Sequence, residues 1–346
     1  MSKGKFFFTQ IPLILFITTL FISHNSFGQN FEKLKVLEDS ILHYSKLIPK
    51  AHLDEQKIKY SSRLQVFVEK AARYNKSIEY QFDTLNFVSV LTSKDNHFRT
   101  FTWTLRLQDG HYQYYGLVQS YVKSTKSYRF HKLNDQTKKL RHPESKTLNP
   151  KKWYGAYYYK LIQTNSGGKT YYTLLGWKGY DRMLSKKVIE IATIRSNGDV
   201  VFGYPIFNIK DFNYFKNKRA RRLVFSYSAK VKMFLDYDVQ SIHIVKKGKK
   251  KKSSHKKQRG FTSQNKEVSK NNKVKTITKL MIVFDRLEPI NTEMEGIYEF
   301  YYPETNVVDG LLFENNRWKY YSDVDARNKV SDEVNIKPKK EINYDL

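Results

Sequence analysis

Between Trp153 and Asp238 the chain repeats one pattern, a short run of β-branched and aromatic residues closed by Gly, Asn or Asp. Trp153-Tyr154-Gly155-Ala156-Tyr157-Tyr158-Tyr159 opens the stretch, Tyr171-Tyr172-Thr173-Leu174-Leu175-Gly176-Trp177 continues it, and Leu235-Asp236-Tyr237-Asp238 ends it. Branched and ring-bearing residues fit a pleated, half-buried surface, and the small residues between them supply turn conformations. Residues 157–163 and 169–177 therefore predict a hairpin around Ser166-Gly167-Gly168, and 188–195 with 200–207 predict another around Ser196-Asn197-Gly198-Asp199. Residues 222–233 continue toward Asp238 as a further strand. Evenly spaced hairpins make a meander the simplest topology, with Gly203-Tyr204-Pro205 at a strand end because Pro cannot donate to a ladder.

The same period of two appears earlier, in residues 87–91 and 98–107. Asp109-Gly110 then gives the strongest hairpin signal in the chain, with 111–118 returning and 127–133 as a further strand. Pro143 and Pro150, with polar residues between them, mark a linker or loop. Past Asp238, residues 241–245, 276–284, 297–302, 311–313 and 318–321 read as strands, the last two joined by a turn at Glu314-Asn315-Asn316-Arg317.

Ahead of the strands the spacing is helical. Phe31, Leu34, Leu37, Ile41 and Tyr44 recur three or four apart until Pro49, and a second amphipathic segment runs from about Asp54 to Ala72. The pair predicts an αα-hairpin that covers one face of the sheet, with a partner-binding arm as the alternative. The fold class is thus mainly β (α+β): an N-terminal αα-hairpin, then a Tyr-rich antiparallel β-meander domain with a Lys-rich hairpin insertion. The predicted divisions are a signal peptide (1–28), helical arm (29–80), first β block (81–145), main β domain (150–328, interrupted by 246–275) and polar tail (329–346).

A chain of 346 residues with 40% hydrophobic content has ample material for a core. It has no cysteine, which excludes disulfides, thiol catalysis and thiolate-bound metal. Lys and Arg number 62 against 33 acids, a formal charge of +29. Residues 246–275 hold 13 Lys/Arg and one acid, Glu267, so a local tract carries much of the surplus.

That tract contains Lys246, Lys247, Lys249, Lys250, Lys251, Lys252, Lys256, Lys257 and Arg259, with little apolar surface to bury. Its predicted partners are an anionic envelope surface or an acidic protein, since each Lys near a charged membrane contributes roughly 1 kcal/mol. Nucleic acid is disfavoured, because Phe261 is the one aromatic in the tract and offers no stacking platform.

The first residues read as a secretory leader: Lys3 and Lys5, an apolar run from Ile11 to Ile22, then Ser26-Phe27-Gly28 for cleavage. The expected location is exported, in the periplasm or at or beyond the outer membrane. After cleavage no later stretch is apolar and long enough to span a bilayer as a helix.

Catalytic signatures are absent. There is no Gly-x-Ser-x-Gly elbow, Walker loop, His-Glu-x-x-His or dinucleotide fingerprint, and no cofactor or metal set is predicted. His111 and His131 lie on predicted strands, and Asp323, Asp325 and Asn328 would suit Ca²⁺ only outside any EF-hand spacing; a backbone-capping turn is the plainer reading. Asp236, Asp238, Asp285, Glu288, Asp323 and Asp325 are all candidates for a two-carboxylate hydrolase, so the sequence selects none.

The runs WYGAYYYKLI (153–162), YYTLLGWKGYD (171–181), FGYPIF (202–207), FSYSAKVKMFLDYD (225–238), IVFDRLEP (282–289) and DVDARN (323–328) resemble exported, uncharacterised β-rich proteins of Bacteroidota-type bacteria. The resemblance covers residues 150–330 and implies export, and it carries no activity. Two functions follow as expectations: a non-enzymatic envelope protein that binds a partner or surface, or a carboxylate-dependent hydrolase of an envelope or extracellular polymer.

Overall fold

A computed structural model describes residues 30–246 and 273–324, with the backbone alone for 242–246 and 273–275. The leader, Asp325, Asn328, the tail and the tract from Lys247 through Arg259 lie outside the described residues, as does the side chain of Lys246.

Helix α1 (residues 30–47) buries Leu34 and Ile41, and α2 (Asp54–Arg73) buries Leu64, Val68, Ala71 and Ala72. These positions recur at helical spacing, so one stripe of each helix faces the protein. What they cover is a four-stranded antiparallel sheet of β1 (Ser89–Thr92), β2 (Phe98–Arg106), β3 (Tyr112–Val122) and β4 (Ser127–Asn134), in that order. Phe101, Trp103 and Leu105 on β2 pack with the helices, and the Trp103 indole donates to Ser61 Oγ of α2 at 2.9 Å. Phe98 turns the other way and stacks on Tyr172 at 4.6 Å. The helical arm thus covers a sheet face.

The next strands are β5 (Tyr157–Ser166), β6 (Lys169–Gly179), β7 (Leu184–Ile194), β8 (Val200–Phe202), β9 (Phe207–Asn208) and β10 (Arg222–Ser228). They are followed by β11 (Leu235–Lys246), β12 (Lys273–Pro289), β13 (Tyr301–Glu314) and β14 (Arg317–Tyr321). A second sheet has the order β10-β7-β6-β5, with β8 on the end of β7; a third has the order β11-β12-β13-β14-β9, with β9 parallel to β14.

The second sheet is the centre of the molecule, because it is packed on both faces. Tyr158, Tyr172, Leu174, Val188 and Phe202 meet the first sheet, and Leu175, Ile189, Leu223 and Phe225 meet Leu235, Ile282, Phe284 and Trp318 of the third. Polar anchors cross each boundary: the Tyr158 N–H donates to Thr102 Oγ1 at 3.1 Å, and the Trp318 indole to Thr173 Oγ1 at 3.1 Å. With roughly 1.5–3 kcal/mol for each large apolar side chain buried, this doubly covered sheet supplies the main core.

Three details differ from the sequence expectation. Residues 222–238 do not form one continuous strand: β10 ends at Ser228, and the chain crosses to the third sheet before Leu235. Residues 297–302 are largely a 3-10 turn (Tyr298–Phe300) ahead of β13. Tyrosines on and beside the central sheet go deeper than expected, with Tyr154, Tyr157, Tyr158, Tyr172 and Tyr227 interior because a sheet covered twice has no wet face, whereas most other described tyrosines are half-buried as expected.

Candidate functional site

Residues 136–152 join β4 to the central sheet, and their side chains and backbone face opposite ways. Lys138, Lys139, Arg141, Lys146, Lys151 and Lys152 are all exposed, whereas Leu148 and Pro150 are buried. The carbonyl groups of this loop and its flank point inward, where two fully buried cations receive them.

Lys178 on β6 holds the base of the loop. Its ammonium donates to Thr137 Oγ1 (2.7 Å), Tyr154 O (2.9 Å) and Gly155 O (2.6 Å), and the Tyr114 and Tyr154 rings lie 4.3 and 4.6 Å away. Burial pushes this lysine down to about 7, with the Asp135 carboxylate pulling the other way. Asp135 also accepts from the Thr137 N–H at 2.9 Å and lies where a Cβ on Gly155, at φ +54°, would meet it at 2.5 Å. A side chain there would collide with the carboxylate that organises the turn.

Arg222 on β10 holds the middle. It donates to the Pro143 carbonyl and, at 3.1 Å, to Lys146 O, while its other nitrogens engage Glu190 at 2.7 and 3.0 Å. Arg222 and Glu190 are both fully buried. Burial raises the Glu190 carboxyl and the Arg222 charge opposes it. Leu148 and Phe202 exchange both backbone hydrogen bonds at 2.9 Å, and Asn149 Oδ1 accepts from the Lys152 N–H at 3.0 Å. The loop is therefore preorganised, and its charged side chains have nowhere to go but out.

Those side chains rim two adjoining depressions of about 580 and 370 Å³ that share Thr147, Leu148 and Lys152. Lys139, Arg141 and Lys146 rim one, and Lys151, Arg195 and His131 line the other. Among the described residues no ion pair engages Lys139, Arg141, Lys146, Lys151, Lys152 or Arg195. Asp199 is the one carboxylate in the lining, and Arg129 pairs with it at 2.8 Å. His131 Nε2 sits 3.2 Å from both Ser120 Oγ and Gly198 O, and burial lowers its pKa. A concave surface of this kind, basic at its rim and apolar along Leu140, Leu148 and Val200, attracts anions.

None of the described candidate acids lines either depression. Lys160 pairs with Asp236, Asp238 accepts from the Val239 N–H, and Asp285 accepts from the Phe234 N–H at 2.7 Å. Register sets Asp236 and Asp285 diagonally on one face of β11 and β12, where burial raises the Asp285 carboxyl; Lys187, pushed down to about 8 by burial, lies in the field of both. Glu288 is exposed. Asp323 accepts from Arg286 at 3.1 Å, and its N–H donates to Asp309, so it is tied to a surface ion network and not to a capping turn of its own. His111 pairs with Asp109, and its neighbour Tyr112 lies six strand residues from Val118, the partner of His131; the two imidazoles are on the order of 20 Å apart. Among the described residues no group of three or more His, Asp or Glu is placed to hold a metal, and no helix is long and apolar enough to cross a membrane.

The sequence marks only Pro143 to Pro150 as a linker or loop, and the site extends from 136 to 152. The usable signal was six Lys/Arg against one acid, Glu144, in a segment that also carries two prolines. Its anchors, Lys178 and Arg222, are too distant in sequence to be associated with it by pattern. Family models, curated proteins and solved structures offer no match to this chain.

Proposed function

We propose that the protein is an exported, non-enzymatic binding protein of the cell envelope, and that its folded body engages anionic surfaces or polymers through the trough on residues 136–152. One observation carries this reading: five exposed loop cations without ion pairs, joined by Arg195, rim two adjoining depressions, and the loop's backbone is fixed by buried Lys178 and Arg222. Solvated charge on a loose loop needs no such support; a site that must keep its cations on one face does. The leader pattern and the resemblance to exported proteins support the compartment. The Lys-rich tract adds a second basic element to the same chemistry.

The test is co-sedimentation with vesicles containing phosphatidylglycerol, against vesicles of phosphatidylcholine alone. Four proteins are compared: the mature chain, a chain lacking residues 247–272, a chain with Lys139, Arg141, Lys151 and Lys152 changed to Gln, and the combination. Neutralising the trough should weaken binding with or without the tract. Binding indifferent to those four changes would refute the proposal. A hydrolase reading has none of its described candidate acids in the lining of either depression.

A further inference from the structure

Pro289 and Tyr301 face each other across the β12–β13 ladder, and between them residues 290–300 leave the sheet. This excursion is ordered: two 3-10 turns (Thr292–Met294 and Tyr298–Phe300) are closed by the Ile290 N–H donating to Phe300 O at 3.0 Å, and Asn291 Oδ1 accepts from the Met294 N–H at 3.1 Å. Yet it exposes Ile290 (65%), Ile297 (45%), Tyr298 and Phe300 (37% each). Single exposed apolar side chains are ordinary, whereas four on one short excursion mark a contact surface.

Its charge narrows the choice of partner. Residues 290–300 contain Glu293, Glu295 and Glu299 and no Lys or Arg, in a chain whose formal charge is +29. Among the described residues none of the three carboxylates has an ion pair. An acidic apolar projection needs a basic rim around an apolar floor. The trough supplies both: Lys139, Arg141 and Lys152 at the edge, Leu140 and Leu148 beneath. On one molecule the two lie on neighbouring faces, because Glu144 of the loop is in the field of Tyr298 and its carbonyl accepts from the Arg221 N–H. A two-fold axis between two copies lets each projection meet the other's trough, so both contacts form together.

We propose that residues 290–300 of one copy seat in the basic trough of a second copy. The inference rests on the trough being a surface for anionic partners, and it makes self-association and polyanion binding mutually exclusive at that site.

Sedimentation velocity of the mature chain in low salt tests it, with two charge-reversed proteins: Glu293→Lys/Glu295→Lys/Glu299→Lys and Lys139→Glu/Arg141→Glu/Lys152→Glu. Each alone should associate at least about tenfold more weakly than the parent, and an equimolar mixture should recover a dimer, since both interfaces then regain opposite charges. Unchanged melting curves confirm that the variants fold. A parent that stays monomeric, variants that associate like the parent, or a mixture that stays apart would each overturn the proposal. So would association lost on deleting residues 247–272 but kept after trough reversal. Inorganic polyphosphate binding, measured on the same proteins, separates the two readings. Retention by the trough-reversed protein refutes the trough as an anion site. Retention by the acid-reversed protein alone, with a monomeric parent, refutes only the self-association.

Discussion

Replacing Arg222 by Met tests whether a buried cation holds the basic loop in place. The guanidinium and Glu190 are both fully buried, and Arg222 bridges that carboxylate to the Pro143 and Lys146 carbonyls. Removing it leaves a carboxylate inside the sheet with no cation and strips two loop carbonyls of their donor. Breaking a buried pair in this way costs about 3–5 kcal/mol. Against a total stability of about 5–15 kcal/mol, the variant should still fold but unfold at clearly lower urea. The pH dependence adds a sign. An acid whose folded pKa is raised holds its proton better in the folded state, so the penalty is present above that folded value and fades as pH falls toward about 4.3. Burial already raises Glu190, and losing Arg222 removes the charge that opposed it. The deficit should therefore be larger at pH 8 than at pH 5, and the double variant Glu190→Met/Arg222→Met should recover most of it. Urea melts at both pH values supply the measurement. A loss below about 1 kcal/mol, or a double variant as unstable as the single, would refute the reasoning.

Further outcomes follow from the same geometry. Lys178→Met should cost about 2–4 kcal/mol by leaving the Tyr154 and Gly155 carbonyls unpaired, and loss of exchange protection around Thr137 would show it. With Lys178 pushed down to about 7, the unfolded chain takes up a proton before the folded one as pH falls from about 10.4, so parental stability should rise with pH between those values; the variant should lose that contribution in pH-stepped melts. Gly203→Ala should cost about 1–3 kcal/mol in urea, since φ is +84° and the new methyl would sit 2.6 Å from Lys146 O. Trp318→Phe should lose about 2 kcal/mol by stranding Thr173 Oγ1, yet leave polyphosphate affinity unchanged, because neither residue lines the trough.

What could be read from the sequence was local. Asp109-Gly110 and Ser196-Asn197-Gly198-Asp199 announced their hairpins through residues at which turn backbone is cheap, and the 31–48 and 54–72 periodicities announced the helices. The transfer of the chain between sheets over residues 229–234 was hidden, because Ala229, Val231 and Met233 alternate with Lys230 and Lys232 as a strand would, with no Gly, Pro, Asn or Asp at the break. The parallel pairing of Phe207 with Trp318 joins segments more than a hundred residues apart and leaves no local trace. The basic loop was visible as charge but not as a site. Its meaning depends on Lys178 and Arg222 reaching its carbonyls from strands placed later in the chain.

The most direct test of the proposed anion-binding trough is hydrogen exchange on the chain with and without inorganic polyphosphate. Protection should appear across residues 138–152 and 195–201, and the Lys139, Arg141, Lys151 and Lys152 to Gln protein should lose it. Protection confined to residues 247–272, or unaltered by those substitutions, would contradict the account.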